Sequence, residues 1–183
     1  MTVLGAIAGI LVVLGLWFWW AYNRGIALRN YKEEAFSTMD VYLKKRWDLI
    51  PNLLETTKGY AQHEKGVLED VTKLRNLNYG NMSDNEKVEV NSKLSMGLSK
   101  LLAVAENYPD LKASDNFQQL SQELASIEGE IATSRKYYNG TIRELNTYIE
   151  SFPTNIVASI FKFEKGVFFE IEEAQRENIQ IKF

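Results

Sequence analysis

The apolar positions of this chain fall into one unbroken block followed by regularly spaced stripes. Val3 to Ala21 (VLGAIAGILVVLGLWFWWA) carries no charged side chain. As a helix its 19 residues reach about 28 Å, close to the hydrocarbon thickness of a bilayer. Trp17, Trp19 and Trp20 end the block, where an interfacial aromatic belt belongs, and Tyr22, Arg24 and Arg29 follow. A cleaved signal peptide needs a basic start and small residues at its cleavage site. Here only the terminal amine precedes the run, and bulky tryptophans close it. Residues 1–21 are therefore expected to be an uncleaved transmembrane anchor, with Leu4, Ile7, Leu11, Leu14, Trp17, Trp19 and Trp20 in contact with lipid. Gly5 and Gly9 have the small-xxx-small spacing that lets two membrane helices approach closely. Arg24, Arg29, Lys32, Lys44, Lys45 and Arg46 all come after the span. The positive-inside rule then predicts a single-pass protein with a short N-terminus outside and the C-terminal domain in the cytoplasm.

Beyond the anchor the apolar spacing changes to steps of three and four. Met39, Leu43, Trp47, Ile50, Leu54, Ala61, Leu68 and Val71 share one helix face. Pro51 lacks the N–H that would bond the Trp47 carbonyl, but the period resumes at Leu53 and Leu54, which predicts a kink and not a stop. The expected helix runs from the anchor to Asn78, roughly 110 Å at 1.5 Å per residue. Tyr79 to Met82 reads as a turn, and Ser83 with Glu86 has capping-box spacing. Val88, Asn91, Leu94, Leu98, Leu101 and Ala105 mark a second helix ending near Glu106, before a turn at Asn107 to Asp110. Ser114 or Asp115 caps a third. Its stripe is a heptad pattern broken only by Ser134 and Thr141: Phe117, Leu120, Leu124, Ile127, Ile131, Tyr138, Leu145, Tyr148 and Phe152. Pro153 ends it.

The fold class expected is all-α: an N-terminal transmembrane helix continuing into an antiparallel long-helix bundle, residues 22–155. Residues 156–183 form an aromatic-rich C-terminal segment that packs on the bundle or on a neighbouring subunit. Its candidate contacts are Phe161, Phe163, Phe168 and Phe169. Glu164, Glu170, Glu172, Glu173 and Glu177 are interleaved with them and disfavour an anionic membrane surface, so subunit contact is the functional use expected.

Composition narrows the chemistry. A net charge of −3 offers no basic face to nucleic acid. Zero cysteines exclude disulfides, thiolate metal sites and a cysteine nucleophile. The lone histidine, His63, has no second imidazole with which to hold zinc. No phosphate-binding glycine loop, dinucleotide fingerprint or nucleophile elbow is present in the sequence. No catalytic residue, metal ligand or cofactor is therefore expected. Arg46, Asp48, Asn52 and Glu55 surround Pro51 as a polar patch able to meet a partner. The partners expected are the lipid bilayer, further copies of the chain in a homo-oligomer, and a membrane protein.

The run MDVYLKKRWDLIPNLLETTKGYAQHE, from Met39 to Glu64, resembles the bacterial LemA family. So do Glu106 to Ala113 (ENYPDLKA), Asn116-Phe117, Tyr137-Tyr138-Asn139 and Ser151-Phe152-Pro153. The resemblance implies an N-terminal anchor in the bacterial inner membrane, a long-helix bundle on its cytoplasmic side and no established catalytic residues. The family includes a magnetosome protein, which implies a membrane-organising role. Its genomic neighbourhood sometimes holds a membrane metalloprotease, which implies the alternative of an adaptor for such an enzyme.

Overall fold

The computed structural model describes residues 2–60 and 65–169. His63, Ala61 and the acidic and aromatic positions from Glu170 to Phe183 lie outside these residues. Six α-helices are described: α1 (Thr2–Lys58), α2 (Lys65–Arg75), α3 (Asp84–Ala105), α4 (Pro109–Ala113), α5 (Asp115–Glu150) and α6 (Thr154–Ile160). There is no strand among the described residues. The expected all-α class is what forms.

One helix, α1, takes in the whole apolar block and continues through Pro51. Pro51 is exposed, on the side of α1 away from the core, and the helix runs on past it. The helix expected to reach Asn78 does not form: α1 ends at Lys58, and the Tyr60 amide closes a turn on the Thr57 carbonyl at 3.0 Å. Thr56 and Thr57 are poor helix formers, and Gly59 stands where a helix C-terminus favours glycine. The apolar period resumes in α2, whose Leu68 and Val71 are buried. Ser83 caps α3 in the predicted box. Its hydroxyl accepts from the Glu86 amide, and the Glu86 carboxylate accepts from the Ser83 amide at 2.8 Å. Between α3 and α5 a short helix, α4, starts on Pro109 instead of the open turn expected there, because a missing N–H costs nothing at the first helical position.

The chain divides into two compact units. Among the described residues, the first comprises residues 2–37 and 136–168, and the second comprises Thr38–Arg135 and Phe169. In the second, helices adjacent in sequence run antiparallel. Asp40 and Arg46 of α1 meet Lys87 and then Asn91 and Ser95 of α3, so those two helices run the same way, with α2 opposed between them. α5 returns against α1: Arg46 meets Glu128, while Asn52 and Glu55, further along α1, share a groove with the earlier Asn116 and Gln119. Met39, Leu43, Ile50, Leu53, Leu94, Leu101 and Leu124 fill the core. Each such side chain contributes about 1.5–3 kcal/mol by leaving water. Gly97 lets α2 and α3 close up, since a Cβ there would come within 2.9 Å of Val71 Cγ2.

The first unit is a helix pair with a strap laid over it. α1 and the end of α5 are antiparallel: the Phe36 ring meets Tyr138 at 5.7 Å, and the Tyr148 hydroxyl donates to the Ala21 carbonyl at 2.7 Å. Burial on α1 starts at Ala21, where the apolar block ends. Leu28, Leu145, Tyr148 and Ala158 form the local core, with Phe163 packed against it. α6 ends in a Schellman cap. Lys162 takes φ 52°, its amide bonds the Ser159 carbonyl at 3.3 Å, and the Phe163 amide bonds Ala158 at 2.9 Å. The chain then runs back along α5. Asn146 brackets the backbone of Gly166 with two hydrogen bonds, at 2.9 and 3.0 Å, and the Tyr138 hydroxyl donates to the Val167 carbonyl at 3.1 Å.

Candidate functional site

The densest polar cluster lies inside the second unit, around Arg46. Its guanidinium is 1 % exposed. Nη1 donates to Ser95 Oγ and Glu128 Oε1, each at 2.7 Å. Nη2 donates to the Asn91 carbonyl at 2.9 Å and to Asn91 Oδ1 at 2.8 Å. Asn91 is fully buried and donates its own amide to the Lys87 carbonyl at 2.8 Å. Nε has no partner among the described residues. Lys87, Asn91 and Ser95 are spaced four apart, so α3 presents one polar ridge to α1. A planar fork that cannot lose its proton is suited to fixing three helices in register. A cleft of about 290 Å³ opens beside it, lined by Ser95, Leu98, Leu124, Glu128 and Phe169.

Four residues N-terminal on the same ridge, Lys87 Nζ donates to Asp40 Oδ2 at 2.7 Å, and the Tyr79 hydroxyl donates to Asp40 Oδ1 at 2.6 Å. The Tyr79 ring packs on Trp47 at 4.9 Å, with Arg75 over the Trp47 ring at 5.4 Å. Burial, reinforced by the Asp40 carboxylate, pushes the Tyr79 hydroxyl far above its ordinary range. It is held as a neutral donor, which suits a clamp.

The predicted patch around Pro51 is divided by the structure. Arg46 points into the core. Asp48 is exposed and pairs with Lys44 at 2.5 Å, one turn away. Asn52 and Glu55 are exposed and line a polar groove with Thr56, Asn116, Gln119 and Glu123. Phe161 and Phe163, in the first unit, lie against α1. The Phe161 ring is 5.8 Å from Phe18 and 4.5 Å from Tyr22, while Phe163 meets Tyr148 at 6.1 Å and Tyr22 at 6.4 Å. Gly25 makes room for that arrangement, because a Cβ there would meet the Phe163 ring at 2.8 Å. Phe168 is half-buried, and Phe169, in the second unit, is buried with Arg135 over its ring at 5.9 Å. In the anchor, Leu4, Ile7, Leu11, Leu14, Trp19 and Trp20 are exposed, Trp17 is half-buried, and Gly5 and Gly9 face open space. Asp40, Tyr79, Asn91, Glu128, Asn146 and Gly166 were not singled out from the sequence. Asn91 carried the available signal, a buried-type position of an apolar stripe occupied by an amide.

Comparison with known proteins gives the same family as the resemblance. Residues 35–183 match the LemA family. The chain is 28% identical over 152 residues to the protein LemA of Metamycoplasma hominis, covering 82% of this chain and 69% of that protein. It is 22% identical over 179 residues to magnetosome protein MamQ 2 of Paramagnetospirillum magneticum, covering 84% of this chain and 66% of the relative. A match to magnetosome protein MamQ of Magnetospirillum gryphiswaldense is 20% identical over 174 residues and covers 81% and 64%. This chain thus spans just under two thirds of the length of the magnetosome relatives. Among the described residues α1 is the one helix long and apolar enough to cross a membrane, and together with these relatives it indicates membrane anchoring. With a family match over most of its length and the helical architecture just described, the chain belongs to the LemA family.

Proposed function

We propose that this protein is a non-enzymatic, membrane-anchored scaffold that self-associates and organises or remodels the bacterial membrane. The observation that carries the reading is how the charged side chains are used. Arg46, Asp40 and Lys87 are all engaged in clamping helices to one another, while the apolar surface left exposed is concentrated in the first unit, on the anchor and on α6. The family supports the reading through relatives named as magnetosome proteins. Charge asymmetry about the anchor favours a single pass through the inner membrane with the helical domain in the cytoplasm. The native mass of full-length protein in mild detergent, with particle images, tests it. A large closed or ring-like assembly is expected, and a monomer or dimer would count against a scaffold.

A second reading, an adaptor that binds a membrane enzyme such as a metalloprotease, is favoured by the groove of Asn52, Glu55, Gln119 and Glu123. Asp48→Ala with Glu55→Ala should then abolish co-purification of that partner while helicity is unchanged.

A further inference from the structure

The segment from Ser151 to Phe161 (SFPTNIVASIF) contains no charged residue. Helix α6 within it turns Val157 and Ala158 inward, against the first unit's core. Its opposite side is apolar as well. Phe152 is 81% exposed, Ile156 49%, Ile160 58% and Phe161 44%. Ile156 and Ile160 are four residues apart on α6 and make one outward ridge, with Phe161 at its end and Phe152 exposed in the turn just before the helix. A ridge of this kind in water is a standing cost.

The position of this ridge along α1 is fixed by Phe161. Its ring sits on Phe18 and Tyr22, at 5.8 and 4.5 Å. Those two residues occupy the last turn of the apolar block and the first position after it, among Trp17, Trp19 and Trp20. When α1 spans a bilayer, that level is the headgroup–acyl boundary, and a group packed on Phe18 and Tyr22 lies at the same depth. The geometry points to the bilayer interface as the occupant: α6 is an interfacial wedge, inserting Phe152, Ile156 and Ile160 beside the anchor's aromatic belt. The Schellman cap and the Asn146–Gly166 bracket hold it there. Lys162 and Glu164, of opposite sign, follow Phe161 in the sequence. Lys165 pairs with Glu150 at 2.5 Å, and Arg24 with Glu144 at 3.6 Å, so insertion is driven by apolar burial and does not call for anionic lipid. The glutamates interleaved along the segment disfavour an anionic surface, not a zwitterionic one.

This inference rests on the reading of α1 as a membrane anchor, and the test separates the two. The chain has no cysteine, so single cysteines can be placed and labelled with an environment-sensitive fluorophore without background. Full-length Ile156→Cys, Ile160→Cys, Leu11→Cys and Glu123→Cys would each be reconstituted in phosphatidylcholine vesicles. Quenching by aqueous iodide and by a shallow spin-labelled lipid is then compared. The wedge predicts that labels at 156 and 160 lose most of the iodide quenching seen at 123 and gain quenching by the shallow lipid. Iodide quenching at 156 and 160 equal to that at 123, with Leu11→Cys protected, overturns the wedge and leaves the anchor standing. If the label at residue 11 is also open to iodide, the anchor itself fails. Protection of 156 and 160 from both quenchers also overturns the wedge, in favour of a second copy of the chain on that ridge.

Discussion

Arg46 and Glu128 are paired at 2.7 Å, yet their removal should have unequal consequences. The Arg46 side chain is 1% exposed and that of Glu128 39%. Taking away Glu128 as Glu128→Ala leaves a permanently charged guanidinium with only neutral acceptors, in a place water barely reaches. Breaking a buried pair from that side costs about 3–5 kcal/mol, and the partial exposure of Glu128 puts the expectation near the lower end. Taking away Arg46 as Arg46→Met keeps much of the volume and leaves Glu128 free to rehydrate. Ser95 still donates to the Asn91 carbonyl at 3.1 Å. The uncompensated loss is then Asn91 Oδ1, one buried acceptor, at about 1–3 kcal/mol. Asn91→Leu added to Arg46→Met removes that acceptor and should recover stability, although Asn91→Leu alone takes one of its four acceptors from the guanidinium and is harmful. Glu128→Gln keeps an oxygen in place and should be milder than Glu128→Ala. The assay is urea unfolding of the full-length variants in detergent micelles, followed by far-UV circular dichroism, since the anchor stays helical in the micelle and the domain supplies the transition. A larger loss for Arg46→Met than for Glu128→Ala, or a double variant worse than Arg46→Met, would refute the reasoning.

Three other perturbations have directions fixed by geometry. A Cβ on Gly166 would come within 2.2 Å of Ile142 Cδ1, so Gly166→Ala should cost about 1–3 kcal/mol and open the strap. Ile142→Val, which removes that methyl, should restore it, and hydrogen exchange at residue 166, whose amide is held by Asn146, reads both effects. Gly97→Ala should loosen α2 from α3 by a similar amount, about 1–3 kcal/mol, and Val71→Ala should relieve the clash while leaving the α2–α3 seam underpacked, so the double variant falls between the single variants and the native chain in urea midpoint. Tyr79 has its folded-state pKa raised above the unfolded value of 10.0, so its contribution is fully present below about pH 10 and is lost as pH rises from there. The urea midpoint of the native chain should therefore fall more steeply above about pH 10 than that of Tyr79→Phe; parallel curves would remove Tyr79 as the cause.

How much of this was legible in the sequence depended on whether an element announces itself locally. The helix through the apolar block, the Ser83–Glu86 box and the α5 helix are local patterns, and each formed where expected. Along α5, Phe117, Leu124, Ile131, Tyr138, Leu145 and Tyr148 are all buried. Phe152 departs, because α5 ends at Glu150 and the following turn throws that side chain outward. The end of α1 is hidden in the sequence because the apolar period carries across Gly59 and resumes in α2. Periodicity counts residues and cannot see that the chain has turned round. The Arg46 network was half-legible. Spacing grouped Arg46 with Asp48, Asn52 and Glu55, but 100° per residue puts Arg46 beside Leu43 and Ile50, on the buried arc, and its neighbours outside it. The strap was not legible, since the bracket joins the side-chain amide of Asn146 to the backbone of a glycine twenty residues away, and no local spacing marks the pair.

The placement of Phe161 and Phe163 changes where self-association should be sought. Both rings are engaged with α1 or α5 in their own chain, so among the described residues a subunit contact made through the C-terminal segment would draw chiefly on Phe152, Ile156 and Ile160. That is the ridge assigned to the bilayer, and one surface cannot serve both occupants at once. The remaining intramembrane candidate is the anchor face of Gly5 and Gly9, where nothing in the chain lies within 4 Å. Close crossing of two helices there depends on van der Waals contact between backbones, which a large side chain prevents. Gly9→Leu should therefore lower the native mass in mild detergent, whereas Ile156→Ser with Ile160→Ser should leave it unchanged. The opposite pattern, in which the serine pair disperses the assembly and Gly9→Leu does not, would assign the ridge to a second copy of the chain and remove the wedge.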